Sequence, residues 1–284
     1  MIKVTKKPVF TQLTDNPQFI DQAVVIIDLI CPIHNSPATK YSIRDYFMGI
    51  CKVFEKYTYW CDYEGDIKWK TLHAKYRQWC KLGIFEEIHK QLLNGYLKHN
   101  KTSKLKYQSI DSTSIVNKQG ASSIDYNVHT GKKKYIKASA ICDSVGVPLG
   151  FHLFPGNESD MNTINASLDN VPIDLNTIKY SKNNRYKQYM LADSGYCSKK
   201  NRAFLRKRGY VPLIWYNKRN IKDASKMKKL NETEQRKYKK RRIIESTFAW
   251  LKQFPKINCL YEKTTSSFYG LLYLGACYII SNKM

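Results

Sequence analysis

The feature that most restricts this chain is a change of hydrophobic period roughly a third of the way along its 284 residues. From residue 41 to residue 98 apolar side chains recur every three or four positions. Phe47, Ile50, Cys51 and Phe54 share one face, as do Trp69, Leu72, Tyr76 and Trp79; after Gly83, placed as a helix stop, Ile88, Leu92, Tyr96 and Leu97 continue the pattern. The polar run 99–104 reads as a linker. Beyond it the period becomes that of strands, over 106–116, 135–142 and 149–154, with Asp143-Ser-Val-Gly-Val-Pro148 as a hairpin turn between the last two. A polar, helix-compatible segment starts near Asp160. Strands are expected at 189–193 and 211–215, a basic helix at 199–208, and a long helix over 234–253 that stops before Pro255. The expected fold class is therefore α/β, a mixed sheet flanked by helices, behind a helical N-terminal part. The domain expectation is 1–104 and 105–284, with a basic insertion near 216–233.

Charge decides which partners fit. Lys and Arg number 48 against 23 Asp and Glu, a net charge of +25, while 43% hydrophobic residues are enough for a real core and exclude a mainly disordered basic tail. Such a surplus repels itself unless a polyanion shares it, so nucleic acid is the first partner to consider and an anionic membrane surface the second. The surplus is concentrated: residues 199–242 carry +15, residues 1–105 only +6. The sequence starts without the apolar run of a signal peptide, and the longest apolar stretch, 268–280, is shorter than the roughly 20 residues a bilayer needs; it reads as a buried helix. Eight scattered cysteines without a Cys-x-x-Cys pair point to reduced thiols and an intracellular protein, with neither a disulfide framework nor a zinc finger expected. The six histidines show no metal-ligand spacing.

Three acids occupy telling places. Asp111 lies inside the strand around Ile110 and Ile115, Asp193 ends the apolar strand Met190-Leu-Ala, and Glu245 is central in the last long helix. Each also has an ordinary role open to it: a strand-edge residue, a helix N-cap, or a solvated partner of Arg241 or Arg242. Asp111 resists that reading most, because a carboxylate inside an apolar strand needs a partner. At about 100° per residue, Tyr238 and Lys252 fall within roughly 20° of Glu245 and Arg241 within about 40°, so one face presents Tyr, Arg, Glu and Lys in a line. Ile243, Phe248 and Leu251 are the expected buried side of that helix.

The spacing Tyr238-x2-Arg241-x3-Glu245-x6-Lys252 resembles the signature of the DDE transposases of the IS4/IS5 insertion-sequence group. Ile110-Asp111-Ser-Thr113 is similar to the first acidic motif of that group and Leu191-Ala-Asp193-Ser-Gly195-Tyr196 to the second. Asn157-Glu-Ser-Asp160 resembles its Asn-x-x-Asp stretch, and the likeness extends over most of the chain from about residue 40. The resemblance implies an RNase H-like catalytic domain and a DNA transposase that cuts and joins phosphodiesters at the ends of a mobile element. Asp111, Asp193 and Glu245 would be both catalytic residues and Mg2+ ligands, with Mn2+ able to substitute, because in-line displacement at phosphorus suits two metal ions held by carboxylates. Tyr238, Arg241 and Lys252 would contact phosphates beside the cleavage point. Asn157, the cluster Lys132, Lys133 and Lys134, and Lys239, Lys240 and Arg242 are further expected DNA contacts. The partners implied are double-stranded DNA, as terminal inverted repeats and target, and a second copy of the chain on that DNA, with no membrane. The expected location is the cytoplasm or nucleoid of a prokaryote, or the nucleus or viral factory of other hosts. Residues 41–98 read equally as a helix-turn-helix reader and as a packing or dimerisation module. Two rivals to the enzyme remain: a catalytically silent DNA-binding derivative of a transposase, and a nuclease of related fold that hydrolyses without joining.

Overall fold

The computed structural model describes residues 11–32, 40–118, 134–173, 175, 187–216 and 230–284, with side chains of 99–102 excepted. Four helices come first: α1 (Pro17–Ile30), α2 (Ile43–Lys56), α3 (Trp69–Lys81) and α4 (Ile84–Lys104). Asn16 caps α1 ahead of Pro17, Ser42 and Asp45 form a capping box on α2, and Gly83, at φ 69°, makes the left-handed break between α3 and α4. The polar run expected as a linker belongs to α4, whose last turns reach Lys104. Nothing in 99–104 breaks a helix, and polarity alone does not end one that is already nucleated.

The sheet has the order β3-β2-β1-β4-β5, built from β1 (Tyr107–Asn117), β2 (Tyr135–Cys142), β3 (Pro148–Pro155), β4 (Gln188–Ala192) and β5 (Tyr210–Ile214). The strands β1, β2 and β3 form an antiparallel meander, whereas β4 and β5 continue the sheet parallel to β1. Helix α5 (Asp160–Asp169) leads toward β4, and α6 (Lys199–Lys207) connects β4 to β5. A two-residue strand, β6 (Cys259–Leu260), pairs with Val116 and Asn117 at the far end of β1. On that edge β4 covers only Tyr107, Gln108 and Ser109. The intervening stretch, 110–115, therefore has β2 on one side and no described strand on the other. A parallel sheet opens its binding crevice beyond strand ends of this kind.

The long helix expected over 234–253 is divided. Helix α7 (Glu232–Tyr238) starts at an Asn231–Glu234 capping box; a 3-10 turn, Lys239–Arg242, follows; then comes α8 (Ile243–Lys252). The buried stripe of α8 is Ile244, Thr247 and Leu251 rather than the expected Ile243, Phe248 and Leu251. Ile243 and Phe248 stay partly exposed, because the 3-10 turn winds more tightly than an α-helix and shifts the face that meets the sheet. A short helix, α9 (Pro255–Asn258), precedes β6, and α10 (Thr265–Ser281) is almost wholly buried, as expected of 268–280.

One contiguous core runs from Leu13 to Ile280 and joins the N-terminal helices to the sheet through α10. Polar contacts fix how they meet. Trp60 Nε1 donates to Glu262 at 2.8 Å, and buried His89, kept neutral by burial that pushes its pKa to about 4, is bonded to the Pro148 carbonyl. Tyr96 donates to Asp143 at 2.8 Å, and the other Asp143 oxygen accepts the backbone N–H groups of Val145 and Val147. That carboxylate shapes the β2–β3 turn. All eight cysteines are free thiols, Cys51, Cys142 and Cys277 fully buried. Among the described residues no helix is long and apolar enough to cross a membrane.

The same turn carries Gly146 at φ 89°, against α8. A Cβ there would lie 2.7 Å from Trp250 and 3.1 Å from the Thr247 hydroxyl, which donates to the Gly146 carbonyl. Gly146→Ala combines left-handed strain with overpacking and is expected to cost about 2–4 kcal/mol, read as a lowered urea midpoint.

Candidate active site

Asp111 lies where the burial of β1 first lapses. Tyr107 through Ile110 are buried, and the Asp111 side chain is 24% exposed. Its Oδ1 accepts the Ser112 N–H at 2.8 Å and its Oδ2 accepts Arg241 Nη1 at 2.9 Å. Burial pushes the Asp111 carboxyl up to about 6, against the pull of Ser112 and Arg241, and the negative charges of Asp193 and Asp160 add to that push. Asp193 follows β4 and caps a 3-10 turn, Ser194–Tyr196, with its Oδ1 accepting the Gly195 N–H at 2.7 Å. It is therefore an N-cap and a member of the acidic group at once. Gly195 is confined by these acids: a Cβ would sit 2.9 Å from Asp193 Oδ1 and 3.4 Å from Asp160 Oδ2.

Glu245 lies in the first turn of α8, with its side chain 61% exposed. The same guanidinium reaches it, Nη2 to Oε1, at 3.3 Å. Lys252, at the other end of α8, donates to Thr113 Oγ1 at 2.6 Å, and partial burial lowers its pKa. Tyr238 is half-buried against Trp215, with ring centroids 5.6 Å apart, and its hydroxyl feels the charges of Arg241, Asp193 and Asp111; burial raises its pKa. The structure thus brings Asp111, Asp193, Tyr238, Arg241, Glu245 and Lys252 to one region.

Other expected contacts are spread out. Lys239, Lys240 and Arg242 are exposed on the 3-10 turn, Lys240 lying 4.1 Å over the ring of Tyr107. Asn157 is exposed on the turn after β3, and Lys134 lies at the start of β2. Lys132, Lys133 and most of the basic stretch 216–233 (residues 217–229) lie outside the described residues.

Three partners escaped sequence reasoning. Asp160, in the first turn of α5, accepts the Ser112 hydroxyl and, at 3.1 Å, the ammonium of Lys137, whose side chain is 13% exposed. Only the Asn-x-x-Asp stretch hinted at Asp160. Ser112 appeared only as the unremarked middle of the Asp111 motif, and Lys137 gave no signal, because its reach to Asp160 depends on the β1–β2 register, which sets Lys137 opposite Ser114.

The family model "Transposase DDE domain" matches residues 103–280, which run from β1 to all but the last residue of α10. The chain belongs to this family. The mixed sheet, with β2 antiparallel to its neighbours and the acids at the β1–β4 opening, is accordingly an RNase H-like fold. A candidate transposase of insertion sequence element IS402 from Burkholderia cepacia is 28% identical over 154 residues; the matched part is 54% of this chain and 64% of that protein. DDE transposases use divalent metal ions, and the donor set here suits one in kind: oxygen ligands only, on a buried carboxylate that still lacks full compensation. Among the described residues, however, no three acidic, His or Cys side chains already stand close enough to hold an ion. Arg241 is interposed.

An acid whose folded pKa lies above its unfolded one is favoured by the fold when protonated, so ionised Asp111 weakens the fold. That loss opens as pH rises from about 4 and is complete above about 6. Asp111→Asn is therefore expected to lie close to the wild type in stability near pH 4 and to exceed it by about 3 kcal/mol at pH 7.5, measured by urea denaturation.

Proposed function

We propose that the chain is the transposase of a mobile DNA element, binding the element's ends and catalysing Mg2+-dependent phosphodiester cleavage and strand transfer. The observation that carries this reading is the convergence of Asp111, Asp193 and Glu245 with Arg241, Lys252 and Tyr238 beside the open edge of β1. Asp111, Asp193 and Glu245 would hold the metal. When bound, the metal supplies Lewis-acid polarisation at the phosphorus centre and lowers the cost of developing negative charge on the attacking and leaving oxygens; Mn2+ would serve as well.

The chain's own groups do the rest. Lys252, tethered to Thr113, holds an ammonium beside the strand that bears Asp111, where a phosphate next to the cleavage point would lie. Arg241 offers a planar fork suited to two phosphate oxygens, and the Tyr238 hydroxyl, kept protonated by burial, can donate to a third. Residues 1–104 are assigned to reading the ends or to pairing two copies, and 105–284 to catalysis. Joining two ends in one complex requires at least a dimer on DNA. The basic stretch 199–242, continuous in sequence with α8, is the main non-specific grip.

With labelled duplex ends of the element, a target plasmid and Mg2+, the wild type is expected to yield joined product. Asp193→Asn should retain end binding and lose both cleavage and joining by more than a hundredfold. Unchanged joining by that variant would remove the acid assignment; binding without cleavage in the wild type would favour a silent derivative, and cleavage without joining a nuclease.

The grip itself is read from salt dependence. Each phosphate neutralised contributes about 0.9 to the slope of log affinity against log salt. Replacing the exposed Lys239, Lys240 and Arg242 by Ala should make that slope shallower by about 2 to 3.

A further inference from the structure

The placement of Arg241 has a consequence for how the site is loaded. One guanidinium spans the two acids of opposite origin, strand and helix: Nη1 to Asp111 Oδ2 at 2.9 Å, Nη2 to Glu245 Oε1 at 3.3 Å. Asp111 Oδ1 is engaged by the Ser112 N–H, so the oxygen Arg241 takes is the one otherwise available. Among the described residues the ion pairs of both acids are made with Arg241, whose side chain is only 19% exposed. A divalent ion brought to Asp111 Oδ2 and Glu245 would meet that positive charge within a few ångström, and on the Asp111 side, where acid and guanidinium are both mostly covered, water screens it poorly. Guanidinium and metal ion are alternatives for the same oxygens.

We propose that Arg241 is an internal counter-ion that competes with the divalent metal for Asp111 and Glu245, and that a DNA phosphate draws it away, so that metal loading follows DNA binding. This rests on the reading of Asp111 and Glu245 as metal ligands. The backbone gives Arg241 a way to exchange partners. It sits on the 3-10 turn Lys239–Arg242, whose hydrogen bonds are weaker than those of an α-helix. Glu245 rides on α8, which is independently fixed by Ile244, Leu251 and the Thr247–Gly146 hydrogen bond. A rotation within the turn can therefore re-aim Arg241 while Glu245 stays in place. The flanking Lys239, Lys240 and Arg242 are exposed and would bring a phosphate to that turn, where the freed fork accepts it bidentately. Linkage requires the effect to be mutual: DNA raises metal affinity by the factor by which metal raises DNA affinity.

The test is Mn2+ binding to the full chain, followed by electron paramagnetic resonance of free Mn2+, with and without a duplex of the element's end. The wild type alone is expected to bind weakly, and the duplex to tighten binding by about tenfold or more. Arg241→Gln should bind Mn2+ about tenfold more tightly than the wild type without DNA, and the duplex should then change its affinity less than twofold. Arg241→Lys, a point charge that holds one carboxylate at a time, should fall between them. Wild-type affinity indifferent to the duplex, or Arg241→Gln binding no more tightly than wild type, overturns the competition while leaving the acid assignment intact. Mn2+ binding that survives Asp111→Asn in the Arg241→Gln background overturns the acid assignment itself, and the competition with it.

Discussion

A carboxylate on the central strand of a sheet has to be compensated, and much of this molecule can be read as the means of compensating Asp111. The residue sits where β1 keeps β2 on one side and loses β4 on the other, so it is neither fully desolvated nor free. The Ser112 N–H comes from the strand itself; the Arg241 guanidinium has to be brought from a remote part of the chain. Delivering it requires α8 to lie at a fixed height over the sheet. That height is set by Thr247 bonding to Gly146 in the β2–β3 turn. The turn in turn is shaped by Asp143, which Tyr96 of α4 holds from the helical part. Polar contacts thus run from the N-terminal helices to α8, and the backbone of the 3-10 turn carries on from there to Arg241 and the acid. The helical region thereby helps to place α8 even where it touches none of the site residues.

Much of this was legible because it is periodic. Helices at 41–98, the β1–β3 meander, the short apolar strand that runs through Leu191 and Ala192 up to Asp193, and buried α10 all announce themselves by which residues are apolar. Asp111 stands out for the opposite reason: it interrupts a pattern that is otherwise satisfied. What could not be read has no local cause. Lys-Lys-Arg-Arg over 239–242 consists of good helix formers, and nothing in it foretells a 3-10 turn. The turn goes with tertiary contacts on both sides of it, Lys240 over the Tyr107 ring and Arg241 on Asp111. Likewise β6 is two residues long, and the meeting of Lys137, Asp160 and Ser112 is a product of register and helix placement.

The excess positive charge is held in two different ways, and the difference bears on DNA. Tyr107 and Tyr189 stack at 5.3 Å on the sheet, and Lys237 and Lys240 from the α7 side lie 4.6 and 4.1 Å from the centroids of Tyr189 and Tyr107. An aromatic face attracts a cation through its quadrupole without cancelling its charge. These lysines are therefore placed by the fold yet keep a full positive charge for a polyanion. Arg241, only a residue further on, is held by carboxylates and is electrically neutralised until something displaces it. One short segment thus combines cations that are always presented with one that is conditional. On the proposed function, the +25 of the chain would therefore not act as one undivided attraction for phosphate: its distribution separates charges that would gather DNA from the one charge whose release DNA binding would control.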